Sequence, residues 1–372
     1  MTQPPIIGVV GLGTMGLGIA QTFAAAGFST RATDAQASTR AAAHPRLTAA
    51  LNARVSTGKL TAQARDATLS NLAITDFGGL APATLVIEAI IEDIAAKHAL
   101  FAALETLLAP DAVLTTNTSS LSVAAIAAPL HRPDRLLGLH FFNPAPVMQL
   151  VELIAHAGTC DSALSLARNL TEATGKTVIG APDRPGFIVN RCARPFYGEA
   201  LALLEEGRSA SDIDAAMLAA GYRIGPLSLI DLIGADINLA ATTGLSDSLH
   251  HPRYQVFDAL KSQVGAGHLG RKSGKGFLFP DLPGPPPADW ADIALRIEAT
   301  LINEAGWLLS EGGTTPNGID TAMRLGLNFP HGPFAALQAH GKARILSVLH
   351  SLEIAAPPQL KLRYLPAPVL ET

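Results

Sequence analysis

The stretch that decides the fold is IIGVVGLGTMGLGIAQTFAA, residues Ile6–Ala25 of a chain of 372 residues. Its short apolar start, Ile6–Val10, predicts a buried strand, and the small apolar residues of Leu17–Ala26 predict a helix. The GxGxxG pattern between them suits a tight turn, the approach of a pyrophosphate and close packing of the helix. We predict a dinucleotide-binding turn formed by Gly11, Gly13, Thr14, Met15 and Gly16.

A carboxylate follows the next predicted strand. The strand Phe28–Thr33 ends at Asp34, 18 residues after Gly16. A carboxylate there can bind a ribose diol and repels a 2′-phosphate, which favours NAD over NADP. Arg31 weakens this preference, and Asp34 could instead be only a helix cap.

A long helical stretch is predicted over Ser38–Ala67. It carries three cations, Arg46, Arg54 and Lys59. They could form a solvated helix face, or they could contact an anionic tail of a substrate.

Two buried strands are predicted farther along, Thr84–Ala89 and Ala112–Thr116. The second runs into a polar turn that contains Asn117, Ser119 and Ser120. Ligands of open α/β sheets bind at the carboxyl ends of strands, so we predict that this turn contacts the cofactor or substrate. Alternatively, these side chains cap a helix predicted over Leu121–Ala128.

The stretch GLHFFNPAPVMQLVEL, Gly138–Leu153, contains a histidine and a glutamate at equal distances from Pro146. A chain reversal at this proline would place His140 opposite Glu152 on two adjacent strands. The carboxylate would then orient the imidazole and raise its basicity, so that the ring could take a proton from a substrate hydroxyl. The alternative is a structural histidine hydrogen-bonded to a glutamate.

Charge and composition exclude several classes of protein. The net charge is −4, without the basic footprint of a nucleic-acid-binding protein. No apolar run reaches the length of a membrane span, and MTQPPIIGVVGLG lacks the basic start of a signal peptide. Cys160 and Cys192 have neither CxxC spacing nor a histidine cluster, so we expect no disulfide and no metal site. We therefore expect a cytoplasmic protein without nucleic-acid or membrane partners.

The second half contains an internal repeat. YGEALALLEEG, IDAAM and YRIGPLSLIDLIG recur as INEAGWLLSEG, IDTAM and FPHGPFAALQAHG, with Glu304 lying 105 residues after Glu199. We predict an α/β Rossmann-type domain followed by an all-α region whose helical unit is duplicated. The expected domains are an NAD-binding domain at 1–183, a helical domain at 184–280 and a degenerate second copy at 288–366, with Pro280–Pro287 as linker. Asn190 corresponds to Leu295, so we expect no catalytic role for the second copy.

Six motifs occur in the order found in one enzyme family: GLGTMGLGIA, VIEAIIED, NTSSLS, GLHFFNPAPVMQLVEL, DRPGFIVNR and GRKSGKGF. Nearly the whole chain is similar to the L-3-hydroxyacyl-CoA dehydrogenase family. The resemblance implies that His140 is the general base, that Glu152 polarises it, and that Ser119 and Asn190 hold the substrate's oxygens. It places cofactor contacts on Asp34, Glu92, Lys97, Ser119, Asn143 and Lys275. The family's coenzyme A contacts match poorly, and Lys59 is the one candidate.

The expected activity is the NAD-dependent oxidation of L-3-hydroxyacyl-CoA to 3-oxoacyl-CoA, in fatty-acid, hydroxybutyrate or aromatic-acid breakdown. Alternatives are a dehydrogenase of a sugar acid or other small hydroxy acid, and a non-catalytic NAD-binding protein. The β-hydroxyacid dehydrogenases share GLGxMG but use a lysine base, which the His140 and Glu152 pair disfavours. Family members with one helical domain dimerise through it, so the second copy predicts a monomer or a different homodimer.

Overall fold

The computed structural model describes residues 4–371. Met1–Gln3, part of the stretch that we predict is not a signal peptide, lie outside them. The chain forms two compact units, of which the first ends at Arg184 and the second begins at Pro185. None of the helices in the described part is long and apolar enough to span a membrane.

The first unit is built on an eight-stranded sheet in the order β3-β2-β1-β4-β5-β6-β7-β8. Its strands are β1 Ile6–Val10, β2 Ser29–Thr33, β3 Leu72–Ile74, β4 Leu85–Glu88, β5 Val113–Thr116, β6 Leu136–Phe141, β7 Leu150–Ala155 and β8 Thr177–Pro182. All neighbours pair in parallel except β6 and β7, which form an antiparallel hairpin. The carboxyl ends of β1, β4, β5 and β6 therefore lie at one edge of the sheet, as the predicted Rossmann-type fold requires.

The helices of this unit are α1 Thr14–Ala25, α2 Ala37–Ser56, α3 Ala62–Ser70, α4 Ile94–Leu107, α5 Val123–Ala127 and α6 Asp161–Glu172. The continuous helical stretch predicted over Ser38–Ala67 is wrong at its middle, where α2 ends and α3 begins. Gly58 has a φ of +70° in the turn between them, and the Thr61 side chain caps α3 by accepting the Ala64 N–H. A left-handed glycine and an N-cap threonine together end one helix and start the next.

The second unit is helical. Its helices are α7 Val189–Cys192, α8 Arg194–Glu205, α9 Ala210–Ala219, α10 Pro226–Ile233, α11 Ala235–Leu249, α12 Asp258–Gly265, α13 Trp290–Ser310, α14 Pro316–Leu327, α15 Pro333–His340, α16 Lys342–Ala355 and α17 Pro368–Glu371. The order of α8–α11 recurs in α13–α16. Asp214 accepts the first N–H groups of α10, and Asp320 does the same for α15. The predicted duplication is confirmed, and the two copies also share this capping contact.

Matched arginine networks join the two helical copies. The Arg191 Nε lies 2.7 Å from the Glu304 Oε1, and the same guanidinium forms two hydrogen bonds to Glu311. In the reciprocal network Arg296 donates to Glu199 across 2.7 Å and twice to Glu206. Each arginine belongs to one copy and its carboxylates belong to the other, so the copies exchange equivalent contacts.

Candidate active site

A histidine and a glutamate face one another on the β6–β7 hairpin. His140 and Glu152 are direct partners in the antiparallel register, and the His140 Nδ1 lies 2.7 Å from the Glu152 Oε2. The predicted pairing of these residues is confirmed. Both are buried, with His140 6% exposed and Glu152 0% exposed. A carboxylate at Nδ1 favours the tautomer that carries its proton there, which leaves the basic lone pair on Nε2.

Asn117 connects the end of β5 to this hairpin. Its Oδ1 accepts the backbone N–H of Phe141 across 2.8 Å, and its own backbone N–H donates to the Glu88 oxygen. The side chain that we predict to contact the cofactor thus also fixes the residue that follows His140. Strand order alone could not show this second contact.

The turn after β5 is organised by Glu92. One carboxylate oxygen, Oε1, accepts hydrogen bonds from the Thr118 hydroxyl, from the backbone N–H groups of Ser119 and Ser120, and from the Ser120 hydroxyl. Partial burial raises the pKa of Glu92, but these donors and the nearby Lys97 ammonium outweigh it and lower the pKa below its ordinary value. Glu92 therefore holds the turn as an anion, and Ser119 remains exposed at the carboxyl end of the strand.

Lys97 lies beneath this turn. Its ammonium is buried and contacts two carboxylates, Glu88 across 2.6 Å and Glu92 across 3.2 Å. A buried ion pair of this kind needs its remaining donors and acceptors satisfied, and the Thr116 hydroxyl satisfies the second Glu88 oxygen. Lys97 thus fixes the carboxylate that shapes the turn.

The alternative that Asn117, Ser119 and Ser120 cap the next helix is wrong. Helix α5 begins only at Val123, and its N-cap is Ser122, which accepts the Ala125 N–H. The Asp183 carboxylate accepts the Val123 and Ala124 N–H groups. Ser122 directly precedes the helix and could have been identified from sequence, whereas Asp183 lies 59–61 residues away and gives no local signal.

The glycine turn fits a dinucleotide. Gly11 has a φ of +95°, and a Cβ at Gly16 would lie 1.7 Å from the Gly11 oxygen, so both positions require glycine. A Cβ at Gly13 would meet nothing within 4 Å, which leaves open space at the start of α1. Thr14 and Met15 begin that helix, which has no side-chain cap and no acidic residue in its first turn. Its N–H groups can therefore bind a pyrophosphate.

Asp34 lies beside this turn. Its Oδ2 accepts the Leu12 N–H across 2.8 Å, which brings a carboxylate to the end of β2 where a ribose would lie. Arg31, which weakened the preference for NAD, donates instead to the Gly79 oxygen. Arg46, for which the sequence leaves a solvated face or a substrate contact open, donates to the Leu12 oxygen and therefore contacts the glycine turn.

Of the remaining predicted residues, three lie in loops or turns and one lies in a short helix. Asn143 is exposed in the loop between β6 and β7, and Lys59 is exposed in the turn between α2 and α3. In the second unit, Asn190 lies half-buried in α7, and Lys275 is exposed in a glycine-rich loop. Within the part of the chain that is described, no cluster of His, Cys, Asp or Glu could hold a metal ion.

A cavity of about 230 Å³ lies between α1, α2, α3 and the β6–β7 loop. Two cations line it, Arg54 and Lys176, together with Gln21 and the threonines Thr22, Thr68 and Thr174. No carboxylate is among its lining residues. The Arg54 Nε is buried and has no hydrogen-bond partner among residues 4–371. Sequence reasoning left Arg54 undecided and missed Lys176, because an isolated lysine before a strand gives no signal.

Comparisons with known proteins agree with this geometry. Residues 6–184 match the NAD-binding domain of 3-hydroxyacyl-CoA dehydrogenase, and residues 186–279 and 293–372 match its C-terminal domain. The 3-hydroxyadipyl-CoA dehydrogenase of Escherichia coli is 35% identical over 95% of this chain and 94% of that protein. The 3-hydroxybutyryl-CoA dehydrogenase of Mycobacterium tuberculosis is 39% identical over 73% of this chain and 96% of that protein. A crystal structure of 3-hydroxybutyryl-CoA dehydrogenase from Escherichia coli has a TM-score of 0.91 at 33% identity, covering 99% of this chain and 98% of its own.

Proposed function

The chain belongs to the 3-hydroxyacyl-CoA dehydrogenase family and is an NAD-dependent enzyme; from this premise we propose that it oxidises L-3-hydroxyacyl-CoA to 3-oxoacyl-CoA. The observation that carries the proposal is the buried contact of 2.7 Å between His140 and Glu152 at the cofactor edge of the sheet. Oxidation of an alcohol needs a base for the hydroxyl proton, and this pair supplies one.

The proposed chemistry assigns a role to each residue of the site. The His140 Nε2 takes the proton of the 3-hydroxyl group, and Glu152 stabilises the imidazolium that forms. Ser119 and Asn190 hold the substrate's oxygens. NAD, when bound, would supply the acceptor for the hydride that leaves C3. In the reverse direction the protonated His140 returns its proton to the 3-oxo oxygen as C3 takes back the hydride.

The same proposal assigns the cofactor contacts. The first turn of α1, from Gly13 to Gly16, binds the pyrophosphate through backbone N–H groups. Asp34 binds the adenosine ribose. The remaining proposed cofactor contacts are Glu92, Lys97, Asn117, Ser119, Asn143 and Lys275.

The cavity lined by Arg54 supports a coenzyme A thioester over a small hydroxy acid. The Arg54 guanidinium, whose Nε has no hydrogen-bond partner among residues 4–371, favours an anion, and coenzyme A carries phosphates. A sugar acid or free hydroxy acid has no phosphate for this group. We assign Lys59, exposed in the turn beside Leu60 of the same cavity wall, as a second cation for the coenzyme A phosphates.

The proposal extends to the rest of the chain. The helical copies at 184–280 and 288–366 have different roles, because only the first contains Asn190. The second covers a face of the first, so the chain acts as a monomer or as a homodimer through another surface. Its cellular place is the cytoplasm, in the breakdown of fatty, hydroxybutyric or aromatic acids.

A substrate panel tests the proposal directly. NADH formation is followed with 3-hydroxybutyryl-CoA, 3-hydroxyadipyl-CoA, longer 3-hydroxyacyl-CoA thioesters, free 3-hydroxybutyrate and sugar acids. The thioesters should react and the free acids should not. Faster turnover of a free hydroxy acid would support the alternative, and turnover of no compound in the panel would contradict the proposed substrate class. Arg54→Met should raise KM for acyl-CoA but not for the matching acyl-pantetheine, whereas Arg132→Met, an exposed control, should change neither.

A further inference from the structure

The centre of the loop between β6 and β7 is held by Lys176, which directly precedes β8. The Lys176 Nζ donates to the Ala145 oxygen across 2.7 Å and to the Met148 oxygen across 2.6 Å. Inside the loop, the Pro144 oxygen accepts the N–H groups of Val147 and Met148. Lys176 therefore binds both sides of one compact turn.

Helix α1 supports the opposite side of this loop. A Cβ at Gly18 would lie only 3.1 Å from the Pro146 Cδ, so the missing side chain allows the loop to approach the helix closely. Ala145, which gives one of the carbonyl oxygens, is 2% exposed. The loop thus lies between a helix surface and an ammonium group.

Burying the Lys176 ammonium is energetically unfavourable. Lys176 is half-buried, burial lowers its pKa, and the two carbonyl oxygens are its hydrogen-bond partners among residues 4–371. Desolvating a cation without a carboxylate is unfavourable, so its compensation is the pair of charge-assisted hydrogen bonds to the loop. The Lys176 contacts fix the loop rather than form an ion pair.

The loop has a defined position relative to the reacting groups. It joins the strand that carries His140 to the strand that carries Glu152, and it contains Asn143. Its start is fixed by Asn117, which binds the Phe141 N–H, and its end by the Thr177 N–H, which donates to the Gln149 oxygen. Lys176 supplies the contacts at its centre.

We propose that Lys176 is a positioning residue of the dehydrogenase: its ammonium fixes the loop 142–149, and with it Asn143 and the His140–Glu152 hairpin, in the reactive geometry. This inference rests on the proposed function for its kinetic consequence. Its structural consequence, that Lys176 fixes the loop, can be tested without measuring enzyme activity.

The kinetic test compares Lys176→Met with Lys176→Arg and with the exposed control Lys261→Met. Because small displacements of reacting groups are costly, Lys176→Met should lower kcat about 10- to 100-fold. The loss should be equal for acyl-CoA and for acyl-pantetheine, since it arises from the loop and not from a phosphate contact. Lys176→Arg, which keeps the cation, should recover part of the rate, and Lys261→Met should match the wild type. An unchanged kcat in Lys176→Met, or a change in KM for acyl-CoA alone, overturns the proposal.

Hydrogen exchange separates this inference from the proposed function. In Lys176→Met the amides of Val147 and Met148 should exchange faster than in wild type, while those of β1 and β4 stay protected. If the wild type oxidises no 3-hydroxyacyl thioester, the proposed function fails, and unchanged exchange in the loop then overturns the positioning role as well. If Lys176→Met does not fold, the same exchange measurement on Lys176→Arg and Lys176→Gln decides, with faster loop exchange expected in the glutamine variant only.

Discussion

Glu199 and Glu304 lie at equivalent positions of the two helical copies, and each buried carboxylate is bound by two arginines and a tyrosine of the other copy. Arg191, Arg253 and Tyr254 bind Glu304, and Arg296, Arg363 and Tyr364 bind Glu199. Both carboxylates are fully buried. Burial raises the pKa of Glu199, but the neighbouring arginines outweigh it and lower the pKa below its ordinary value.

These reciprocal arginine–glutamate contacts between the two helical copies predict similar losses of stability when either arginine is replaced. Arg191→Met and Arg296→Met should each lower the free energy of unfolding by about 3 kcal/mol, because each leaves a buried carboxylate short of positive charge. Urea unfolding followed by circular dichroism measures the change. Arg132→Met removes an exposed pair with Asp134 and should cost less than about 1 kcal/mol. Variants of Arg191 and Arg296 no less stable than this control would contradict the prediction.

The histidines bound to Glu298 predict that stability depends on pH. Buried Glu298 accepts hydrogen bonds from the Tyr222 hydroxyl across 3.1 Å and from His331 and His340 across 2.8 Å and 2.6 Å. The hydrogen bond to Glu298 raises the pKa of His331 above its ordinary value. A raised histidine pKa stabilises the fold fully below the ordinary value of about 6.5, and this contribution disappears as pH rises through the folded-state pKa.

The stability difference between wild type and His331→Gln should therefore be larger near pH ~6 than near pH ~9. Urea unfolding at both pH values measures it. His350→Gln, which changes an exposed histidine, is the control and should show no such pH dependence. A difference that is equal at the two pH values, or larger at the alkaline one, would contradict the assignment.

Asp34 predicts the selectivity between the two nicotinamide dinucleotides. Asp34→Asn removes the charge that repels a 2′-phosphate, while Arg40 and Arg46 stay beside the turn. The ratio of kcat/KM for NAD to that for NADP should fall about tenfold or more, since this is the cost of losing one charge contact. Asp66→Asn, an exposed aspartate in α3, is the control. A ratio unchanged from wild type would show that other groups set the preference.

The sequence predicts those features of the site that depend on local spacing. The glycine turn lies within six residues, and the pairing of His140 with Glu152 follows from equal distances to Pro146, because antiparallel register is set by the point of reversal. Contacts between segments that are far apart in the chain cannot be predicted from local spacing. Lys176 binds carbonyl oxygens 28 and 31 residues away, and Asp183 caps a helix about 60 residues away. Gly58 and Thr61 mark the break between α2 and α3, but the helix-forming residues around them predict a continuous helix.

Glu152 should matter through its charge and not through its size. Glu152→Gln keeps the shape, but its amide can present a donor to Nδ1 and select the wrong tautomer of His140. We expect kcat/KM for 3-hydroxybutyryl-CoA to fall about 10²- to 10⁴-fold, with NAD binding unchanged in a fluorescence titration. Glu172→Gln, an exposed carboxylate of α6, should behave as wild type. A loss smaller than about twofold would leave Glu152 with a structural role only.

The most direct measurement is the kcat/KM of His140→Gln with 3-hydroxybutyryl-CoA, taken together with its dissociation constant for NAD. We predict a loss of about 10³-fold or more in kcat/KM with NAD binding within about twofold of wild type. Turnover near the wild-type rate in a folded, NAD-binding His140→Gln would contradict the assignment of His140 as the base.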